Sequence, residues 1–91
     1  MKIKLSPAFV RSSKKYSGGD PVLDKRLETA LRRLSNDIFD PRLGTHKLRG
    51  KRDGVWSCSV SHDIRILFRF VSDNDEKAIL LLTVGSHDEV Y

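Results

Sequence analysis

Alternating apolar and polar residues in the second half of the chain predict a sheet. Every second residue is apolar along residues 56–60, the pattern of a strand with one buried face. The same period continues over residues 64–70 after a short turn. The apolar run at 79–82 is unbroken, which favours a central strand covered on both faces. We expect this third strand to span residues 78–84 and to end at Gly85.

Two similar dipeptides mark helix starts in the first half of the chain. Ser6-Pro7 and Asp20-Pro21 each place a capping side chain before a proline at the first helical position. After the second start, apolar residues recur at helical spacing and form one stripe. The members of this stripe are Leu23, Leu27, Ala30, Leu31, Leu34 and Ile38.

These elements predict an α+β fold in a single domain over residues 1–91. Residues 3–5 can form a short N-terminal strand, and the Ser-Gly-Gly sequence at 17–19 joins the two helices into a hairpin. The apolar stripe of this hairpin must cover one face of the sheet. We therefore expect an N-terminal strand and a helical hairpin packed on a three- to four-stranded, mainly antiparallel sheet. Residues 45–48 could pair briefly with one edge.

The composition is that of a soluble globular protein, with 38% hydrophobic and 32% charged residues in a chain of 91. No stretch approaches the ~20 apolar residues that span a bilayer. Residues 1–5 open no apolar segment long enough for a signal peptide. We therefore expect an intracellular, cytoplasmic protein with no membrane partner. The single cysteine excludes an internal disulfide, and Cys58 lies on the apolar side of its strand, where a small buried residue is expected.

The net charge is +5, and basic residues gather in one segment. Five of the eleven residues from 42 to 52 are Arg or Lys, and none is acidic. A basic balance on a small intracellular domain suggests a polyanionic partner, usually nucleic acid. Charge runs are more often only solvated surface, so this segment alone does not decide the function. The candidate RNA-binding residues are Lys47, Arg49, Lys51 and Arg52.

Three histidines supply candidate acid–base groups. His62 fits a surface residue in a turn, whereas His46 lies in the basic segment and His87 follows the central strand. Histidine titrates near neutrality and can give or take a proton, and arginine matches phosphate oxygens in geometry. RNA cleavage requires no metal, because the 2′-hydroxyl is an internal nucleophile. The chain has no carboxylate cluster suited to Mg²⁺ and no zinc-type spacing, so we expect neither a metal nor a cofactor.

Five segments, in a fixed order along the chain, carry a resemblance to a known family. They are Ser6-Pro7-x-Phe9, His46-Lys47-Leu48-x-Gly50, Gly54-x-Trp56, Asp63-Ile64-Arg65-Ile66-Leu67-Phe68 and Gly85-Ser86-His87-Asp88-Glu89-Val90-Tyr91. Together they resemble the RelE/ParE toxin superfamily over essentially the whole chain, and most closely its YafQ-type branch. The specificity lies in the ordered set rather than in any one segment.

The resemblance implies a toxin of a type II toxin–antitoxin pair, held inactive by a cognate antitoxin. Toxins of this kind enter the ribosomal A site and cut messenger RNA. The implied activity is that of an endoribonuclease, an mRNA interferase that inhibits translation. The ribosome and mRNA are therefore implied partners besides the antitoxin.

The resemblance also implies a set of catalytic residues. The matching positions are His46, Asp63, Arg65, His87 and Tyr91. On this basis His87 would be the general acid, and His46 or Asp63 the general base. Arg65 falls where RelE proper keeps a catalytic arginine and would stabilise the phosphorane. Tyr91 matches the terminal aromatic residue, which could stack on a base.

One departure from the branch and two alternative functions accompany this interpretation. The YafQ-type branch has a further histidine at the position of Ser59, and a serine hydroxyl cannot act as a base near neutral pH. A ParE-like gyrase inhibitor would share the fold without the same catalytic set, and a supercoiling assay would identify it. The other alternative is a catalytically silent member of the fold that binds RNA or the ribosome, or docks an antitoxin. Purified protein that binds ribosomes yet leaves messages intact would favour it.

Overall fold

The computed structural model describes residues 1–50 and 52–91 and shows two long helices on a mixed sheet. The predicted RNA-binding residue Lys51 lies outside the described residues. The elements, in chain order, are β1 (Lys2–Leu5), α1 (Pro7–Ser17), α2 (Pro21–Asn36), a 3-10 turn (Pro41–Leu43), β2 (His46–Lys47), β3 (Trp56–Ser59), β4 (Ile64–Asp73), β5 (Glu76–Ser86) and α3 (His87–Val90).

The sheet has the strand order β1-β5-β4-β3-β2, with β1 parallel to β5 and the other neighbours antiparallel. The predicted α+β class, N-terminal strand and central position of β5 are confirmed. The sheet has five strands because both β1 and the two-residue β2 join it. The expected end of β5 at Gly85 is wrong, since Gly85 pairs with Arg65 and β5 continues to Ser86.

Both predicted helix starts are confirmed by their capping contacts. The Ser6 hydroxyl accepts a hydrogen bond from the amide of Phe9 at 3.0 Å, and the Asp20 carboxylate accepts one from Val22 at 2.9 Å. These side chains satisfy amide groups that have no partner within the first turn of a helix. Gly18 ends α1 in the left-handed conformation, with φ of 51°, which glycine adopts without steric cost.

The main core lies between the two long helices and one face of the sheet, called here the helix face. Cys58 belongs to this core and is 1% exposed, as its position in the alternation predicted. Burial raises the pKa of the Cys58 thiol to about 12, so the thiol is protonated at neutral pH. The buried members of the core are Phe9, Leu27, Ala30, Leu34, Ile38, Leu43, Cys58, Ile66, Phe68, Ile79, Leu81 and Val84.

A smaller core covers the opposite face of the sheet, called here the site face. Val55 and Leu67 are buried there beneath Val90 of α3, with Leu48 and Leu82 packed at the margin. The C-terminal turn α3 therefore closes over the face that the long helices leave open. Among the described residues, no helix has both the length and the apolar character needed to cross a membrane.

Candidate functional site

The short helix α3 brings His87 to the end of the sheet beside Asp63. Ser86 and Glu89 form a reciprocal capping box, with the Glu89 amide donating to the Ser86 hydroxyl at 3.3 Å. The Glu89 carboxylate accepts from the Ser86 amide at 3.0 Å in return. The amide of His87 donates to the carbonyl oxygen of Asp63 at 3.0 Å. The predicted residues Asp63 and His87 therefore meet through their backbones.

Tyr91 lies against His87 and reaches back to the sheet. The two ring centroids are 4.2 Å apart, and the ring planes meet at 77° in an edge-on arrangement. The Tyr91 hydroxyl hydrogen-bonds the Ser57 hydroxyl of β3. Ser57 is completely buried, although its place in the alternation suggested an exposed polar face. The sequence interpretation missed Ser57 because the contact joins residues 34 positions apart.

His46 lies on the edge strand next to Ser57. The two residues are paired in register across β2 and β3, and directly paired side chains project from the same face of a sheet. His46 is exposed, and its Nδ1 atom lies 3.0 Å from the carbonyl oxygen of Gly44. The site face thus carries a row of residues: His46 neighbours Ser57 in register, Ser57 bonds to Tyr91, and Tyr91 packs on His87. Asp63 lies at the end of this row, where its backbone carbonyl meets His87.

Arg65 is directed at the turn between β3 and β4. Its Nη1 group donates to the carbonyl oxygens of Ser61 at 2.8 Å and Ile64 at 3.2 Å. The backbone of Arg65 pairs with Ser59 on one side and with Gly85 on the other. Arg65 therefore lies between β3, which carries Ser57, and β5, which leads to His87, and it braces the turn that holds Asp63.

The basic segment contributes two arginines to a pocket beside Tyr91. Leu48, Arg49, Arg52 and Tyr91 line this pocket, whose volume is about 610 Å³. Tyr91 as a whole residue is 40% exposed and forms part of the wall of this pocket. Arg49 and Arg52 thus lie beside Tyr91, a member of the row.

Lys47 takes a different position from the two arginines. It follows His46 in β2 and pairs with Trp56, which packs against the core of the helix face. Because neighbouring residues of a strand project from opposite faces, Lys47 does not share the face of His46. His62 is exposed in the turn that precedes β4.

A salt bridge connects α3 to the first long helix. Lys15 Nζ lies 3.5 Å from Glu89 Oε2, and both side chains are exposed. Hydrogen bonds from the Ser86 amide and hydroxyl hold the pKa of Glu89 below its usual value, and the charge of Lys15 adds to this effect. Glu89 is therefore ionised under ordinary conditions and completes the capping box as a carboxylate.

Two further observations concern metal binding and a second pocket away from this face. Within residues 1–50 and 52–91, no three His, Cys, Asp or Glu side chains gather closely enough to hold a metal ion. A pocket of about 730 Å³ lies elsewhere, between the end of α2 and the far half of β4, where Phe39 and Phe70 are partly exposed. None of the predicted site residues within 1–50 and 52–91 lines that pocket.

Comparison with solved structures supports the fold. YafQ from E. coli strain BL21(DE3) matches with a TM-score of 0.79 and 15% identity, over 99% of this chain and 97% of that chain. A copper-bound mutant toxin from Helicobacter pylori matches with a TM-score of 0.75 and 24% identity, over 100% and 99% of the two chains. A structure of the E. coli DinJ–YafQ complex gives a TM-score of 0.71 and 15% identity, over 99% and 97%.

The match that decides the family comes from the sequence. No curated protein matches this chain. The family model described as the bacterial toxin of type II toxin–antitoxin system, YafQ, matches residues 1–91. Since that match spans every element described above, the chain belongs to the YafQ family of bacterial toxins of type II toxin–antitoxin systems.

Proposed function

We propose that this toxin is a ribosome-dependent mRNA endoribonuclease that inhibits translation. The observation that carries the proposal is the row of His46, Ser57, Tyr91 and His87 on one face of the sheet, with Asp63 at its end. Two histidines on one face can supply the base and the acid of a single reaction, because an imidazole ring can accept a proton or donate one. The arginines of the adjoining pocket add positive charge beside them.

The reaction would transfer the phosphoryl group of the message to its own ribose. A base, His46 or Asp63, takes the proton of the 2′-hydroxyl, and the 2′-oxygen attacks phosphorus. The bond from phosphorus to the 5′-oxygen breaks, and protonated His87 gives its proton to that leaving oxygen. The products are a 2′,3′-cyclic phosphate and a 5′-hydroxyl. These steps need no metal, because His46 or Asp63 takes the first proton and His87 supplies the second.

Arg65 would stabilise the pentavalent phosphorus. Its two hydrogen bonds to the turn both use Nη1, so the donors of Nη2 and Nε are the ones that would meet phosphate oxygens. A guanidinium that is already held by carbonyl groups loses little side-chain freedom when it binds the phosphate. Arg65 would therefore combine a bracing role with an electrostatic one.

Tyr91 and the basic pocket would hold the message. Base–aromatic stacking contributes ~1–3 kcal/mol per base, and Tyr91 would supply the ring for it because it lines the pocket with the two arginines. Arg49 and Arg52 would bind phosphates next to that base. Lys47 would add a contact to a ribosomal or messenger phosphate, and the same role is proposed for Lys51 from its place in the basic segment.

A cognate antitoxin is the expected protein partner. The DinJ–YafQ structures are toxin–antitoxin complexes, and they match this chain over 99% of its length. We infer that the antitoxin of this toxin is acidic or amphipathic where it crosses the site face, because the pocket beside Tyr91 contains two arginines.

Cell-free translation with mapped transcript ends tests the proposed activity. His87→Ala removes the proposed general acid, and His62→Ala is the matched control because His62 is an exposed histidine in the turn before β4. General acid–base groups contribute roughly 10²–10⁴-fold, so we expect the cleavage rate of His87→Ala to fall by that order and His62→Ala to cut normally. Equal cutting by wild type and His87→Ala would remove His87 from the mechanism, and gyrase inhibition without cleavage would replace the proposal.

A further inference from the structure

Ser57 is a polar residue buried in the middle of the sheet. Its exposed fraction is 0%, and among the described residues it is the single polar side chain in the buried class. A buried hydroxyl costs stability unless it is hydrogen-bonded, and the partner of Ser57 is the hydroxyl of Tyr91. The contact satisfies Ser57, and it also fixes the far end of the Tyr91 side chain.

Tyr91 is in turn the residue that packs against His87. The two rings meet edge-on at 4.2 Å, and the Tyr91 amide donates to the carbonyl oxygen of His87 at 3.0 Å. Tyr91 directly follows α3, a helix of only four residues. A helix this short is marginal on its own, so its side chains depend on tertiary contacts for their orientation.

We propose that Ser57 is a positioning residue that acts through the Tyr91 hydroxyl to hold the imidazole of His87 in place. The catalytic meaning of this assignment rests on the proposed function, whereas the physical contact does not. A purely local role for Ser57 would affect stability alone. A positioning role also changes the surroundings of the His87 ring and slows the chemical step, since small displacements of a proton donor are costly.

The test uses the full chain with three single variants and one double variant. Ser57→Ala and Tyr91→Phe remove the same hydrogen bond from its two ends, and Tyr91→Phe keeps the aromatic ring. Thr83→Val is the control, because Thr83 pairs with Leu67 on the same sheet face and its substitution also removes a hydroxyl. The first readout is the set of imidazole proton resonances of His87 by NMR, which needs no RNA. The second is kcat and KM for ribosome-dependent cleavage.

We expect Ser57→Ala and Tyr91→Phe to shift the His87 resonances and to lower kcat by about ten- to a hundredfold with little change in KM. The double variant should match either single variant, because both lose one shared contact. Thr83→Val should resemble wild type. Unchanged His87 resonances in Ser57→Ala, or fully additive effects in the double variant, would overturn the proposal.

Two outcomes separate this proposal from the proposed function. If the wild type cuts no RNA, the proposed function fails, and the NMR comparison still decides whether Ser57 positions His87. If Ser57→Ala does not fold, Tyr91→Phe decides alone, because it removes the hydrogen bond from the partly exposed partner.

Discussion

Two adjacent residues of β3 face opposite sides of the sheet and have opposite chemical consequences. Cys58 points into the core beneath the helices, where burial raises the pKa of its thiol to about 12. Ser57 points to the site face, where its hydroxyl meets Tyr91. The alternation of a strand therefore places an unreactive thiol and a positioned hydroxyl within one residue of each other.

Cys58 should resist thiol reagents in the folded protein. Its pKa of about 12 compares with an ordinary value of 9.0, so the thiolate fraction near pH 8 is lower by about a thousandfold. We expect the native protein to react with a colorimetric disulfide reagent at least that much more slowly than the protein in denaturant. Reaction of the native protein at the denatured rate would mean that Cys58 is accessible.

Single residues show which contacts could be predicted from the sequence and which could not. Cys58 was predictable because its burial follows from the local alternation of side chains. The contact of Ser57 with Tyr91 was not, because it depends on α3 folding back across the sheet. The bracing bonds of Arg65 to the turn carbonyls are likewise set by the path of the backbone, which the residue types do not encode in any local pattern.

At the scale of elements, the sequence predicted what depends on local signals. Both long helices begin at their capping residues because the cap, the following proline and the apolar period lie within a few positions. The strand end expected at Gly85 failed because glycine can end a strand or can permit a close approach. Here the backbone of Gly85 stays in the ladder, and α3 packs directly over it.

A side chain at Gly85 should crowd α3, which lies against this position. A Cβ atom at this position would lie 3.2 Å from Cγ1 of Val90, inside the ordinary ~3.5–4.0 Å separation of carbon atoms. We expect Gly85→Ala to weaken the packing of α3 and to speed hydrogen exchange of the Tyr91 amide. Adding Val90→Ala provides the space and should restore part of the protection. Identical exchange in wild type and Gly85→Ala would show that α3 adapts without strain.

In the molecule as a whole, the two faces of the sheet carry different sets of residues. The long helices and the helix face hold the main core, whereas the site face holds a smaller core and the row from His46 to His87. Part of the net charge of +5 can now be assigned to one face, because Arg49 and Arg52 of the basic segment lie with Tyr91 at one pocket. Composition alone could not assign that charge to a face.

The salt dependence of ribosome binding should show that Arg49 and Arg52 contact phosphates. Each phosphate contact releases counterions, so removing two contacts should reduce the slope of log affinity against log salt by about two. We expect this for Arg49→Gln combined with Arg52→Gln. The matched control is Arg11→Gln with Lys25→Gln, which removes equal charge from exposed positions on α1 and α2. Equal slopes for the two double variants would contradict a localised phosphate site.

A message with one altered ribose tests the proposed chemistry. In that chemistry His46 or Asp63 takes the proton of a 2′-hydroxyl of the message, and His87 protonates the leaving oxygen. A transcript carrying a 2′-O-methyl group at a mapped cleavage position has no nucleophile there. We expect cutting at that position to stop and cutting at unmodified sites to continue. The cut ends at the unmodified sites should carry 2′,3′-cyclic phosphates. Continued cutting at the methylated position would contradict this chemistry.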